Sequence, residues 1–149
     1  MTETAQQAHM LRVERTYDAP AQRVFDAWTD PEVMRRWWHA GDHTWTTPVA
    51  EVDLRVGGRY VVSMRAPDGR EPTGRGEYTV VDPPNRLAFT WTWDGEDSPE
   101  TLIEVDFRES DGATTVVLTH SGLASENSRE AHTGGWQELL ANLVRELEA

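Results

Sequence analysis

Cysteine is absent from this 149-residue chain, which excludes disulfides, thiolate nucleophiles and thiolate metal sites together. Lysine is absent as well. All 14 basic residues are arginines, so neither a Schiff-base lysine nor the lysine of a phosphate-binding loop is present. Compositional bias is the simpler cause, because arginine serves equally on a solvated surface. No apolar run approaches the roughly 20 residues of a membrane span. The start, Met1 to His9, lacks the apolar core of a signal peptide, so the cytoplasm is the expected location. Clustered positive charge is missing too: 26 acidic against 14 basic residues give a net charge of −12, and no five-residue window holds more than two arginines. Neither nucleic acid nor an anionic membrane is an expected partner.

What remains is a soluble composition with 38% hydrophobic residues and seven tryptophans, long enough for one domain that buries about 70% of its unfolded surface. A frayed tail is expected over residues 1–9 and a single domain over 10–149. A first strand is expected near Met10–Tyr17. Pro20 then suits a first helical position, with Ala21, Val24, Phe25 and Trp28 at helical spacing. Asp30-Pro31 restarts the pattern as an N-cap followed by proline, and places Met34, Trp37 and Trp38 on one face of a second short helix.

Strands are expected near Thr46–Leu54, Gly58–Ala66, Gly74–Val81, Arg86–Trp93, Leu102–Arg108 and Thr114–His120, separated by turn signals such as Pro67-Asp68-Gly69 and Asp111-Gly112. Alternation turns Leu87, Phe89, Trp91 and Trp93 to one face, with Tyr60, Val62, Met64, Ile103, Val105, Phe107, Val116, Leu118 and His120 beside them. In the Gly74–Val81 strand, Tyr78 with Val80 and Thr79 with Val81 are equally good inward pairs. The last segment carries an apolar stripe, Trp136, Leu139/Leu140, Leu143 and Leu147, that suits a helix laid across the sheet. Asn127 with Glu130 suggests its capping box. Gly134-Gly135 interrupts it, for close backbone approach or for space above a cavity.

Strand, two short helices, six-stranded meander and long terminal helix together resemble the helix-grip fold of the START-like (SRPBCC) superfamily, an α+β class with a curved antiparallel sheet of about seven strands wrapped on the C-terminal helix. Within it the chain resembles the family named for the activator of heat-shock-protein-90 ATPase. The matching segments are Thr16-Tyr17-Asp18-Ala19-Pro20, Ala27-Trp28-Thr29-Asp30-Pro31, Arg36-Trp37-Trp38, Asp53-Leu54-Arg55-Val56-Gly57-Gly58-Arg59-Tyr60, Phe89-Thr90-Trp91, Thr119-His120-Ser121-Gly122 and Gly135-Trp136. The resemblance implies a cavity for a hydrophobic or aromatic small molecule. Members of the superfamily bind lipids, hormones or polyketides, some catalyse cyclisation or dehydration, and the eponym is a co-chaperone. That co-chaperone adds an N-terminal domain not found in this sequence, so ligand binding is expected over ATPase activation. A cyclase-like or dehydratase-like enzyme and a protein-interaction module are the alternatives.

Candidate ligand-binding residues are Trp37, Trp38, Trp45, Tyr60, Met64, Phe89, Trp91, Trp93, His120, Trp136 and Leu140, since they offer more stacking surface than a small core needs. A tryptophan-rich core is the competing reading. For proton transfer the candidates are His120, at the end of an inward register, and Glu77, if its strand turns it inward. His132, one turn before Trp136, can approach the cavity mouth. His39, Asp42 and His43 have metal-ligand chemistry, but Gly41 breaks the helix that would align them, so a solvated loop and no metal are expected. Arg65 and Arg75 are expected in surface pairs. No cofactor is implied, and a homodimer through exposed sheet or helix surface is compatible with the sequence.

Overall fold

A computed structural model describes residues 9–39, 41–95 and 99–148; residues 1–8 of the expected tail lie outside them. The elements are β1 (Leu11–Tyr17), α1 (Ala21–Thr29), α2 (Pro31–Trp37), β2 (Thr46–Val52), β3 (Arg59–Arg65), β4 (Thr73–Asp82), β5 (Arg86–Trp93), β6 (Thr101–Ser110), β7 (Ala113–Ser121) and α3 (Glu126–Glu148). One antiparallel sheet runs β1-β7-β6-β5-β4-β3-β2. It curls into a half-barrel gripped by α3, so the class is α+β and the architecture is the expected helix grip.

Local chemistry explains most element ends. Asp30 Oδ1 accepts the Glu32 N–H at 3.0 Å and Pro31 follows, so α2 starts as expected. Pro20 stands at the N-cap of α1 rather than inside it. The Ala21 N–H, left over at that helix end, donates to Glu109 Oε1 of β6 at 2.7 Å. The cap of α3 is Ser125, not Asn127: its Oγ accepts the Ser128 N–H at 3.1 Å. Gly134 and Gly135 do not interrupt α3, which is continuous through them. A Cβ on either would meet nothing within 4 Å, so the glycines mark open space and not close approach.

The β4 strand takes one inward residue from each of its two candidate pairs. Tyr78 lies opposite Phe89 and Val81 opposite Leu87, and both pack on the core. Thr79 is the extra residue of a bulge between them, which reverses side-chain parity. Upstream, Gly74 and Gly76 let β5 come close. A Cβ on Gly74 would sit 2.1 Å from Trp91 Cζ2, and one on Gly76 would sit 2.0 Å from the Thr90 carbonyl oxygen. No side chain fits there, so the Trp91 indole lies against bare backbone.

The core fills the end of the barrel covered by α1, α2 and the C-terminal half of α3. Trp28 is its centre, with ring centroids 5.2 Å from both Trp37 and Trp38 and 6.1 Å from Trp136. The Trp37 indole N–H donates to the Ala27 carbonyl at 2.9 Å. The Tyr17 hydroxyl donates to the Leu140 carbonyl at 2.6 Å, joining β1 to α3. Burial pushes that hydroxyl's pKa well above its ordinary value.

Candidate functional site

Between the sheet and the N-terminal half of α3 lies a cavity of about 300 Å³, at the lower end of the range for small-molecule sites. Its walls include Trp38, Met64, Trp91, Trp93, His120 and Trp136, all expected from the sequence. Pro72, Ala131, His132, Gly135 and Leu139 complete it. Ala131 is exposed and Pro72 half-buried, which places the mouth between α3 and the β3–β4 hairpin. Among the described residues no aspartate, glutamate or arginine lines the cavity, so the wall they form suits uncharged matter.

Adjacent residues Trp37 and Trp38 part company at the helix end. Trp37 closes α2 and stays in the core, whereas Trp38 is the C-cap with φ −79° and ψ 73°. Leaving helical geometry turns its ring across the core, where it stacks on Trp91 with centroids 6.4 Å apart and planes 16° apart. The indole N–H groups of Trp38 and Trp91 are buried and have no hydrogen-bond partner among the described residues. Such donors are costly when left unmatched.

Two histidines receive the other indoles. Trp136 Nε1–H donates to His120 Nδ1 at 3.0 Å. An indole nitrogen only donates, so the His120 proton sits on Nε2. That proton is given to Thr101 Oγ1 at 2.8 Å, and the Thr101 hydroxyl passes a hydrogen bond to the Trp91 carbonyl at 3.1 Å. Burial, assisted by the neighbouring His132, lowers the His120 pKa to about 3. His120 is therefore a neutral, fully engaged imidazole. Trp93 Nε1–H donates to His132 Nε2 at 3.2 Å, and His132 Nδ1 donates to the Ser128 carbonyl at 2.8 Å. The two rings meet edge to face, 5.0 Å apart.

The remaining candidates lie elsewhere. Trp37 and Phe89 are core residues, the latter between Tyr60 and Tyr78. The Tyr60 hydroxyl donates to the Thr90 carbonyl. Trp45 packs its indole against Gly41. Leu140 faces the packed half of the core, beside Tyr17. Glu77, whose face the sequence left open, is exposed and lines a shallow groove on the outer face of the sheet with Arg59 and Arg75, so it is not a cavity carboxylate. Arg65 pairs with Glu71 at 2.7 Å and Arg75 with Asp94, both near the surface. His39 is buried beside Asn142, whose amide donates to the His39 carbonyl at 2.7 Å, while His43 is exposed. Pro72 had no sequence signal. Ala131 and Gly135 had one: small residues on a helix that covers a sheet.

No helix among the described residues is long and apolar enough to cross a membrane. The family model described as "Activator of Hsp90 ATPase homolog 1-like protein" matches residues 18–148. The chain is similar to protein CV1439 of Chromobacterium violaceum, with a TM-score of 0.86 at 24% identity over 95% of this chain and 99% of that one. It is similar to SPO3351 of Silicibacter pomeroyi, with a TM-score of 0.80 at 26% identity over 92% and 96%. A protein of Rhizobium leguminosarum gives a TM-score of 0.78 at 29% identity over 93% of both chains. No curated protein matches the sequence. The chain belongs to the Activator of Hsp90 ATPase homolog 1-like family.

Proposed function

We propose that this protein binds an uncharged, hydrophobic and largely aromatic small molecule in the cavity between the sheet and the N-terminal half of α3. The observation that carries the reading is a 300 Å³ cavity bordered by two buried indole donors, on Trp38 and Trp91, with no protein acceptor among the described residues. A ligand with aromatic surface and a carbonyl or hydroxyl oxygen would stack on those rings and accept from those donors after a small shift of the side chains. The lack of aspartate, glutamate and arginine among the described wall residues disfavours a charged ligand. The reading needs no cofactor, and it assumes the cytoplasm as the place of binding.

Binding is favoured over proton-transfer chemistry. His120 has both ring nitrogens engaged and Glu77 lies outside the cavity, so neither candidate offers a free acid or base to the space, and no carboxylate among the described residues lines it. An interaction module would carry an apolar patch of several hundred Å². The large exposed apolar residues among those described are Met10, Leu54 and Val56, too few for such a surface.

Native mass spectrometry of the purified protein tests for a retained occupant, and titration with 1-naphthol, read by tryptophan fluorescence, tests the empty site. Saturable binding is expected, weakened about tenfold or more by Trp91→Ala, as for a central aromatic anchor. A bare-chain mass together with no saturable response to 1-naphthol would sink the reading.

A further inference from the structure

Beyond the main cavity lies a second, smaller one of about 30 Å³, bordered by Pro99, Leu123, Ala124 and Ser128. It has room for about one water. The two cavities share three wall residues: Trp91, Trp93 and His132. Trp91 is fixed, being 3% exposed, seated on Gly74 and stacked on Trp38. Trp93 and His132 are less enclosed: both are half-buried, the Trp93 ring rests edge to face on Trp91 with centroids 5.0 Å apart, and a hydrogen bond of 3.2 Å joins it to His132 across the gap between β5 and α3. Trp93 is the last residue of β5, and His132 lies two residues before the glycine pair of α3. Past them, Pro99 and Ala124 are exposed, so the small cavity leads toward the surface.

We propose that the Trp93–His132 pair is the end wall of the binding cavity and sets the length of ligand that it admits; this rests on the binding reading above. With the bond made, a ligand's far end stops at the Trp93 indole. With the bond absent, the indole loses the His132 acceptor that holds it in this pose, and the ligand extends into the space lined by Leu123 and Ser128. His132 is then a positioning residue. It acts through Trp93 by accepting its N–H, and its own orientation is held by the Ser128 carbonyl at 2.8 Å.

The test is calorimetric titration with a series of 4-n-alkylphenols of increasing chain length. Each methylene that enters apolar space tightens binding about fourfold. In the unsubstituted protein the tightening is expected to stop at one chain length, where the chain end meets Trp93. Trp93→Ala should move that stop outward by about two methylenes or more, because an indole occupies more than an ethyl group. His132→Leu, which removes the acceptor while keeping bulk, should also move it outward and supplies the same reading if Trp93→Ala folds poorly. His132→Gln, which restores an acceptor, should return the stop to its original length. The same stop in all four proteins would overturn the end wall while leaving the binding reading intact. Failure of every alkylphenol to bind the unsubstituted protein would overturn both.

Discussion

The two halves of α3 are made of one helix and do opposite things. After Leu139, which still borders the cavity, its inward side chains, Leu140, Leu143 and Leu147, are at most 2% exposed. That half is tied to the rest by Tyr17 through the Leu140 carbonyl, by Arg36 to Glu146 at 2.8 Å, and by Asn142 to the His39 carbonyl. Before Trp136 the inward positions are Ala131, His132 and Gly135, which face a cavity; His132 accepts from Trp93 of β5, and Trp136 itself donates to His120 of β7. Packed leucines hold the helix in place. Small residues and hydrogen bonds then let the other half span a void without collapsing into it.

The largest effect should come from damaging the packed half. Leu143 is fully buried, so Leu143→Ala should cost about 2–5 kcal/mol, read from the denaturant midpoint. Affinity of the folded variant for 1-naphthol should change by less than about twofold, since sites that share no partners act independently. A loss of affinity as large as the loss of stability would break the comparison, because it would make the two halves one unit.

His120 gives the next effect, at the boundary between the halves. Its pKa is lowered from 6.5 to about 3, chiefly by burial. Between those values the unfolded chain takes up a proton that the folded one refuses, so this group's contribution is present above pH 6.5 and is lost as pH falls. The slope is about 1.4 kcal/mol per pH unit inside that window and zero above it. His120→Gln keeps one acceptor and one donor but cannot titrate. Its unfolding free energy should fall less steeply with acid than that of the unsubstituted protein, and parallel curves would refute the assignment.

Tyr17→Phe removes one buried hydrogen bond to Leu140 and should cost about 1 kcal/mol, measured by thermal or denaturant unfolding. Because Tyr17 touches only the packed half, 1-naphthol affinity should not follow.

Most of the fold was legible because it rests on period and punctuation. Alternation found every strand of the sheet to within one or two residues, since one face of each is buried. It failed in β4, where a bulge at Thr79 changes parity and Gly74 and Gly76 supply no side chain to read. The cap of α3 was misplaced because Ser125 and Asn127 are both good caps, and only geometry decides between them. For the candidate site, alternation says which side chains point inward but not how far along the barrel they sit. Phe89 and Trp91 share a face of β5, yet only Trp91 reaches the cavity. Trp37 and Trp38 are neighbours in sequence, and a single non-helical ψ separates a core residue from a wall residue.

The glycine pair should give the smallest change in stability and the sharpest separation of the halves. Neither position has a neighbour within 4 Å of an added Cβ, so alanine at either should stabilise α3 by up to about 1 kcal/mol through helix propensity. The two positions differ in what lies beside them: Gly134 is exposed, and Gly135 lines the cavity. Leucine at either should likewise leave the unfolding midpoint unchanged or raised. Gly135→Leu should nevertheless lower 1-naphthol affinity about tenfold, by occupying the space the ligand needs, while Gly134→Leu should leave it unchanged. If Gly135→Leu instead lost stability and kept its affinity, the glycine would be needed for packing, and the N-terminal half of α3 would belong with the core.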